Sequence, residues 1–540
     1  MRKLQQFFSK FTDLDAFFDT LHTSFPFDKV DYHVFRRNIE RKIWSMLSQT
    51  AYFLIEDTYT EPEWKDIIAE HFIHTKYQTI PNVLRIHLFT DSGPDLNKSY
   101  LGCFTLRKID NPAIVLSFIY PNWNVLCMEE ERFAGSYLIT APKRIHIYAE
   151  EIIIRTTPYF VQDGIVTSCA HASIVMMTQF LNLKYGYQKL HIKDMIQSYQ
   201  NREKLFPTRG LLPEQVMEIL MNNKFNVVKY ELGDRNPEES ERVEVKDLIK
   251  AQLRSGLPVM LGIADHSVLI VGFQEEKDSF LFLDDSGALI HALADAQDQY
   301  RDSELEYDNF ISNCSWDYIF EYVERTSGKK VLVQFLMPVH ERIYAGYEDV
   351  SRRCAILEEN IGDSCTEDIP YKVENKRFFM ADNVDCKKFV NENMIEEDGT
   401  EELLDAFICT EQPHYLWCYE FEVEQEIYII FIDTTYDVEA EDNDIYINKN
   451  REPFHVAARF PTVDKVKTCN IEAIPLFEKK RLTHRGLKAA SEDKLGSKRA
   501  HIPEEDTEWP LLKIKNSEQK DLNDQKTESK SEKEKEKPHQ

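Results

Sequence analysis

The sequence predicts an α+β protein of about three domains, and three observations carry that expectation. The chain has 540 residues, and a domain takes ~100–200. Its composition, with 42% hydrophobic, 29% charged and 12% aromatic residues, is that of an ordinary folded protein. Its patterning also comes in blocks: residues 151 to about 340 run through three helical segments and then three strand-like ones, the segregated order of an α+β fold.

The elements follow in order. Over the first 75 residues, Phe7, Phe8, Phe11 and Leu14, then Val34, Phe35, Ile39, Ile43 and Leu47, return at spacings of three and four, which predicts helices. From Val83 the runs VLRIHLF, YLGCFTL, AIVLSFIY and RIHIYAEEIIIR, punctuated by Gly, Pro, Asn and Asp, predict a small sheet. Residues 1–150 are thus expected to form an accessory domain, and 151–340 a second domain. A third is expected over 341–480, where YLWCYEFEV and EIYIIFIDTTYDV read as strands and the cluster Tyr415, Leu416, Trp417, Tyr419, Phe421 reads as core. Residues 481–540 are expected to be a flexible charged tail, because residues 516–540 hold no aromatic side chain with which to build a core.

Charge narrows the function. There are 65 Lys and Arg against 93 Asp and Glu, a net −28, so a nucleic-acid phosphate backbone would be repelled. Positions 351–450 alone hold 26 acidic and 8 basic residues, a face suited to a basic partner. Ten scattered cysteines with no Cys-x-x-Cys pair fit a reducing compartment. The first twenty positions are studded with charges and show no signal peptide. LPVMLGIADHSVLIVGF, residues 257–273, is interrupted by Asp265 and His266 and is shorter than a span of about 20 residues, so it predicts buried strands rather than membrane insertion. The expectation is a cytoplasmic protein.

Nucleotide and metal motifs are missing from the sequence. The chain has 17 Gly and neither a Walker loop nor Gly-x-Gly-x-x-Gly, so no cofactor is expected. Glu70-His71-x-x-His74 lacks a third ligand, so no metal is expected.

Thiol chemistry is better supported. In PYFVQDGIVTSCAHASIVMMTQFLNL, Thr167 and Ser168 are candidate caps, and Ala172, Val175, Met176 and Phe180 recur at helical spacing. Cys169 therefore opens a helix, where unpaired N–H groups and the macrodipole favour a thiolate. A nucleophilic thiolate needs an imidazole and a group to orient it. His266 begins the apolar run from Val268 to Gly272, and Asp284 and Asp285 end the return strand SFLFL. A hairpin sets the start of one strand beside the end of the next, which brings His266 to these carboxylates. His171, two positions after Cys169, points to another helix face and is expected to be a polar neighbour or substrate contact.

These residues resemble the papain-like cysteine peptidases, and within them the stand-alone relatives of the double-glycine-leader, C39-like peptidases of bacteriocin exporters. The resemblance runs through Gln162, Cys169-x-x-Ala172-Ser173-x-x-Met176, His266-Ser-Val-Leu-Ile-Val-Gly272-Phe and Asp285-Ser286-Gly287. It spans roughly residues 155–335, about a third of the chain. It implies a papain-like core, with a helical subdomain carrying the Cys and an antiparallel sheet carrying the His and Asp. It also implies Cys169 as nucleophile, His266 as general base and then acid, and Asp285 as the residue orienting the imidazole, with Asp284 as runner-up. Gln162, one residue further from the Cys than in the family, would join the oxyanion hole. The implied activity is a cysteine peptidase acting on a protein or peptide through an acyl-enzyme. Two alternatives stay open: an acyl or amine transferase on the same residues, and a non-catalytic scaffold that keeps only the core.

Overall fold

A computed structural model of the chain describes most of residues 8–24, 47–67, 83–107, 114–119, 136–198, 210–232, 238–285, 307–319, 333–355, 373–393 and 413–461. It is a mixed α/β structure with several antiparallel sheets, divided into two compact units. The first comprises Met1–Arg353, Phe378–Ala381 and Thr434–Glu452, and the second Cys354–Arg377, Asp382–Asp433 and Pro453–Gln540. No helix among the described residues is long and apolar enough to cross a membrane. The tail expected over 481–540 lies outside the described residues, as do Glu70, His71 and His74.

The first unit begins with β1 (Ser9–Lys10), α1 (Leu14–Ser24), β2 (Tyr52–Tyr59), α2 (Pro62–Ile67), β3 (Val83–Phe89), α3 (Leu96–Ser99), β4 (Tyr100–Leu106) and β5 (Ile114–Ile119). Next come β6 (Ser136–Leu138), the β7 (Ala141–Ile147) and β8 (Glu150–Thr156) ribbon, and β9 (Tyr159–Phe160). A six-stranded sheet runs in the order β1-β2-β3-β4-β5-β9. Strands β3, β4 and β9 are buried almost continuously, with all seven residues of β4 inside. His87 is fully buried, with Nδ1 2.8 Å from the Tyr100 hydroxyl and Nε2 3.0 Å from Glu56 Oε2. Burial drives the ring's pKa down to about 4, so the imidazole is neutral at pH 7.

The rest of the first unit runs through α4 (Cys169–Tyr185), α5 (Ile192–Ser198), α6 (Pro213–Asn222), β10 (Phe225–Leu232) and α7 (Glu239–Arg254). The strands β11 (Val259–Ile263), β12 (His266–Gln274), β13 (Ser279–Leu283), β14 (Tyr307–Asp308), β15 (Ile311–Ser315) and β16 (Val333–His340) follow. They form a sheet in the order β10-β16-β11-β12-β13-β15-β14, and β6 also pairs with β12. All of β13 and all but the first residue of β12 are buried, as continuous apolar runs require when both faces are covered. The segment 257–273 thus supplies two adjacent strands, β11 and β12, paired antiparallel.

The two sheets exchange strands. β6 extends the β11 edge of β12, with Gly272 opposite Leu138; a Cβ on Gly272 would lie 2.2 Å from the Tyr137 carbonyl oxygen, so only glycine admits this approach. In the other direction β9 closes the six-stranded sheet on β5. It is anchored by Arg107, which donates from Nε and Nη2 to Glu61 at 3.2 and 3.1 Å. The guanidinium lies 4.5 Å from the Trp64 ring and 5.6 Å from that of Phe160. Both charged side chains are at most 1% exposed.

A further four-stranded sheet runs β17 (Val373–Asp382), β18 (Tyr415–Val423), β19 (Glu426–Asp433) and β22 (His455–Pro461), with α8 (Asn383–Asn393) between β17 and β18 in the chain; apart from Phe378–Ala381 of β17, these residues belong to the second unit. Leu416, Trp417, Tyr419 and Phe421 are buried, while Tyr415 is half-buried. The Thr434–Glu452 segment of the first unit holds a separate ribbon that joins β20 (Val438–Glu441) to β21 (Asp444–Ile447).

Removing Arg107 would leave the Glu61 carboxylate buried and uncompensated. Arg107→Ala is expected to cost about 3–5 kcal/mol in chemical denaturation of the full chain, and Glu61→Gln with Arg107→Met together distinctly less than Arg107→Ala alone.

Candidate active site

The nucleophile candidate is placed by helix α4. The stretch from Ala170 to Leu181 is buried on every side, which marks a helix in the core rather than on the surface. Gly186 ends it with φ 74°, its N–H donating to the Asn182 carbonyl at 2.9 Å. At the other end Ser168 is extended, and Cys169 is the first helical residue. Of the six described cysteines, five are buried and Cys169 alone is partly exposed.

His266 is the first residue of β12, and α4 packs on that strand. Its Nε2 lies 2.9 Å from Asp284 Oδ1, with the imidazole side chain 13% exposed and the carboxylate 0%. Burial works against the charged ring. The hydrogen bond to Asp284, then the hydrogen bond to Cys169, and then the charges of Asp284 and Cys169 outweigh it, and push the pKa up to about 10. With Nε2 committed to Asp284, Nδ1 is the ring atom left for the thiol. The arrangement joins a partly exposed sulfur, an imidazole and a buried carboxylate in that order.

His266 Nε2–H donates to Asp284 and not to Asp285, the residue that the resemblance to the family favours. The reason is one bulged residue. From the turn, Gln274 pairs with Ser279 and Gly272 with Leu281, but beyond Val271 the register slips, so Ile270 pairs with Phe282 and Leu269 with Leu283. This sets residue 284 across from Val268, on the His266 side of the alternating strand. An unbulged hairpin would have set 285 there. Asp285 turns to the loop before the helix, where one carboxylate oxygen accepts the backbone N–H of Gln162 at 3.4 Å. Gln162 is half-buried, and the residues that join it to Thr167 lie outside the described set, as do Ser286 and Gly287.

Other supporting side chains were not read from the sequence. The buried Tyr159 hydroxyl donates to the backbone carbonyls of Asp284 and Asp285 at 3.0 and 3.2 Å. Ser267 Oγ donates to Ser173 Oγ at 3.4 Å, joining the residue next to His266 to the one a helical turn after Cys169. His171, expected as a polar neighbour or substrate contact, is fully buried and bonds Ser168, the place of a polar neighbour. The spacing of Cys169 and Ser173 by four was a usable signal; the single Tyr159 was not. His266, Asp284 and Asp285 also present one donor each within 4.8 Å of one another, a nitrogen and oxygen set of the kind zinc accepts, although the His266–Asp284 hydrogen bond already engages two of the three.

No family model matches the chain. No curated protein matches it either. Among solved structures, UfSP from C. elegans aligns with 34% of this chain at 16% identity and a TM-score of 0.21. The chain spans 33% of that structure's length.

Replacing Asp284 removes the main support of the imidazolium and leaves the burial that opposes it. In Asp284→Asn the His266 pKa is expected to fall well below its value of about 10, and in Asp285→Asn to move less, as followed by histidine NMR titration. The folded pKa lies above the unfolded value of ~6.5, so this cluster stabilises the fold fully below that pH and loses its contribution as pH rises towards 10. Asp284→Asn should flatten that part of the stability profile.

Proposed function

We propose that the chain is a thiol hydrolase, a cysteine peptidase on a papain-like core, in which Cys169 attacks an acyl carbon and water releases the product. The observation that carries this reading is the His266 ring, hydrogen-bonded to a buried carboxylate on one side and paired with the one partly exposed described cysteine on the other. A protein that used this region only for packing would have no physical need for a thiol at a helix N-terminus against an imidazolium.

In the proposed reaction the Cys169 sulfur, held as thiolate beside the His266 imidazolium, adds to the scissile carbonyl of a peptide or protein. Charge develops on the carbonyl oxygen, where the backbone N–H of Cys169 at the helix N-terminus is suited to receive it. The Gln162 side-chain amide is the second proposed donor, and its backbone N–H is bonded to Asp285. His266 then protonates the leaving amine, the C–N bond breaks, and a thioester remains on Cys169. The ring, now neutral, takes a proton from water as it attacks the thioester, and the acid product leaves with Cys169 and His266 restored as an ion pair. Asp284 keeps Nε2 occupied and the ring oriented throughout.

The reading is tested by alkylating the full chain with iodoacetamide across about pH 4 to 9 and mapping the modified cysteines by mass spectrometry. Cys169 is expected to react fast well below the free-thiol pKa of ~8.5 and to lose that advantage in His266→Ala. A Cys169 that reacts no faster than free cysteine at every pH would overturn the proposal.

A further inference from the structure

The side chain that fixes the turn before Cys169 is a histidine with unusual bonding. Ser168 is extended, with φ −112° and ψ 177°. Its backbone N–H lies 3.3 Å from His171 Nδ1, and its hydroxyl lies 2.9 Å from the same atom. A backbone N–H can only donate, so Nδ1 is the acceptor and carries no proton. The hydroxyl therefore donates to it as well, so that Ser168 is held to His171 through both its backbone N–H and its side chain. With Nδ1 unprotonated the ring is the neutral Nε2–H tautomer.

The usual residue at this third helical position is Glu or Gln. A glutamate there would cap the helix well, yet would set a negative charge within one turn of a thiolate and repel it. A buried neutral imidazole supplies the acceptor without the charge. Ser168 is also bonded directly to the nucleophile, so whatever fixes its backbone fixes the Cys169 N–H and the direction of the sulfur.

We propose that His171 is a positioning residue for the nucleophile: through Nδ1 it holds Ser168, and with it the N–H and side chain of Cys169, while adding no charge beside the sulfur. The inference rests on the thiol-hydrolase reading.

The test uses the full chain, iodoacetamide as probe, and the Cys169 alkylation rate near pH ~6, well below the free-thiol pKa, with the melting temperature of each variant measured alongside. His171→Leu is expected to slow Cys169 by about tenfold or more, as small misplacements of reacting groups do. His171→Gln, an uncharged acceptor, should restore the rate to within about threefold. His171→Glu should keep the melting temperature of His171→Gln yet react more slowly, an order that capping alone would not give. Ser168→Ala with His171→Leu should be no slower than His171→Leu alone, because both remove one interaction. A folded His171→Leu with the wild-type rate overturns the proposal, and so does a His171→Gln as slow as His171→Leu. If the buried site does not tolerate leucine, Ser168→Ala decides: slower by about threefold or more supports the proposal, and the wild-type rate overturns it. Wild-type Cys169 no faster than free cysteine overturns the thiol-hydrolase reading and this inference together. A fast wild type with indifferent His171 and Ser168 variants overturns this inference alone.

Discussion

The arrangement of the site depends on the register between β12 and β13. His266 and Asp284 are separated by a strand, a turn and a second strand, and nothing local draws them together. The antiparallel ladder does so, and because side chains alternate with a period of two, a shift of one residue would exchange the carboxylate that faces the ring. The bulge at Val271 is such a shift, built into the strand. It lies beside Gly272, where β6 presses against β12. A backbone accommodation between two sheets and the choice of His266's partner are thus settled within two residues.

Around that register the molecule spends its buried polar groups on orientation. Tyr159 holds the backbone carbonyls of the two aspartates, Asp285 accepts the backbone N–H of Gln162, and Ser173 meets Ser267 between helix and strand. Tyr159 belongs to β9, whose neighbour Phe160 lies against the Arg107 guanidinium. A chain of contacts therefore runs from the accessory sheet into the site. Such layers matter because reacting groups must be held to within a fraction of an ångström, which loops alone do poorly.

The sequence made much of this legible. Ser168 and the helical spacing after it located the start of α4, and the apolar runs on either side of the turn located β12 and β13, since both signals are local. The choice between the aspartates was not legible, because a bulge leaves no mark in hydrophobicity and counting back from the turn gives Asp285. His171 was legible only in part: its distance from Cys169 showed that the two face apart and left it a polar neighbour or a substrate contact, while the relation that matters is its spacing of three from Ser168, with histidine where glutamate or glutamine would have signalled a capping box. β6 and β9, at three and two residues, are too short to show any period, so the change of pattern near residue 150 read as a border although strands are exchanged across it. The candidate site was legible only as a set: Cys169, His266 and the aspartates are each unremarkable alone.

That exchange of strands bears on how the chain assembles during synthesis. The accessory sheet is made first, yet it cannot close until Tyr159–Phe160 arrive, and Ser136–Leu138 have no partner until His266–Gln274 have emerged, more than a hundred residues later. Pairings this distant in sequence form slowly. The N-terminal segment therefore waits, incomplete, on the ribosome for the segment carrying His266, and expression of either half by itself would leave an unpaired strand edge of the kind that invites aggregation.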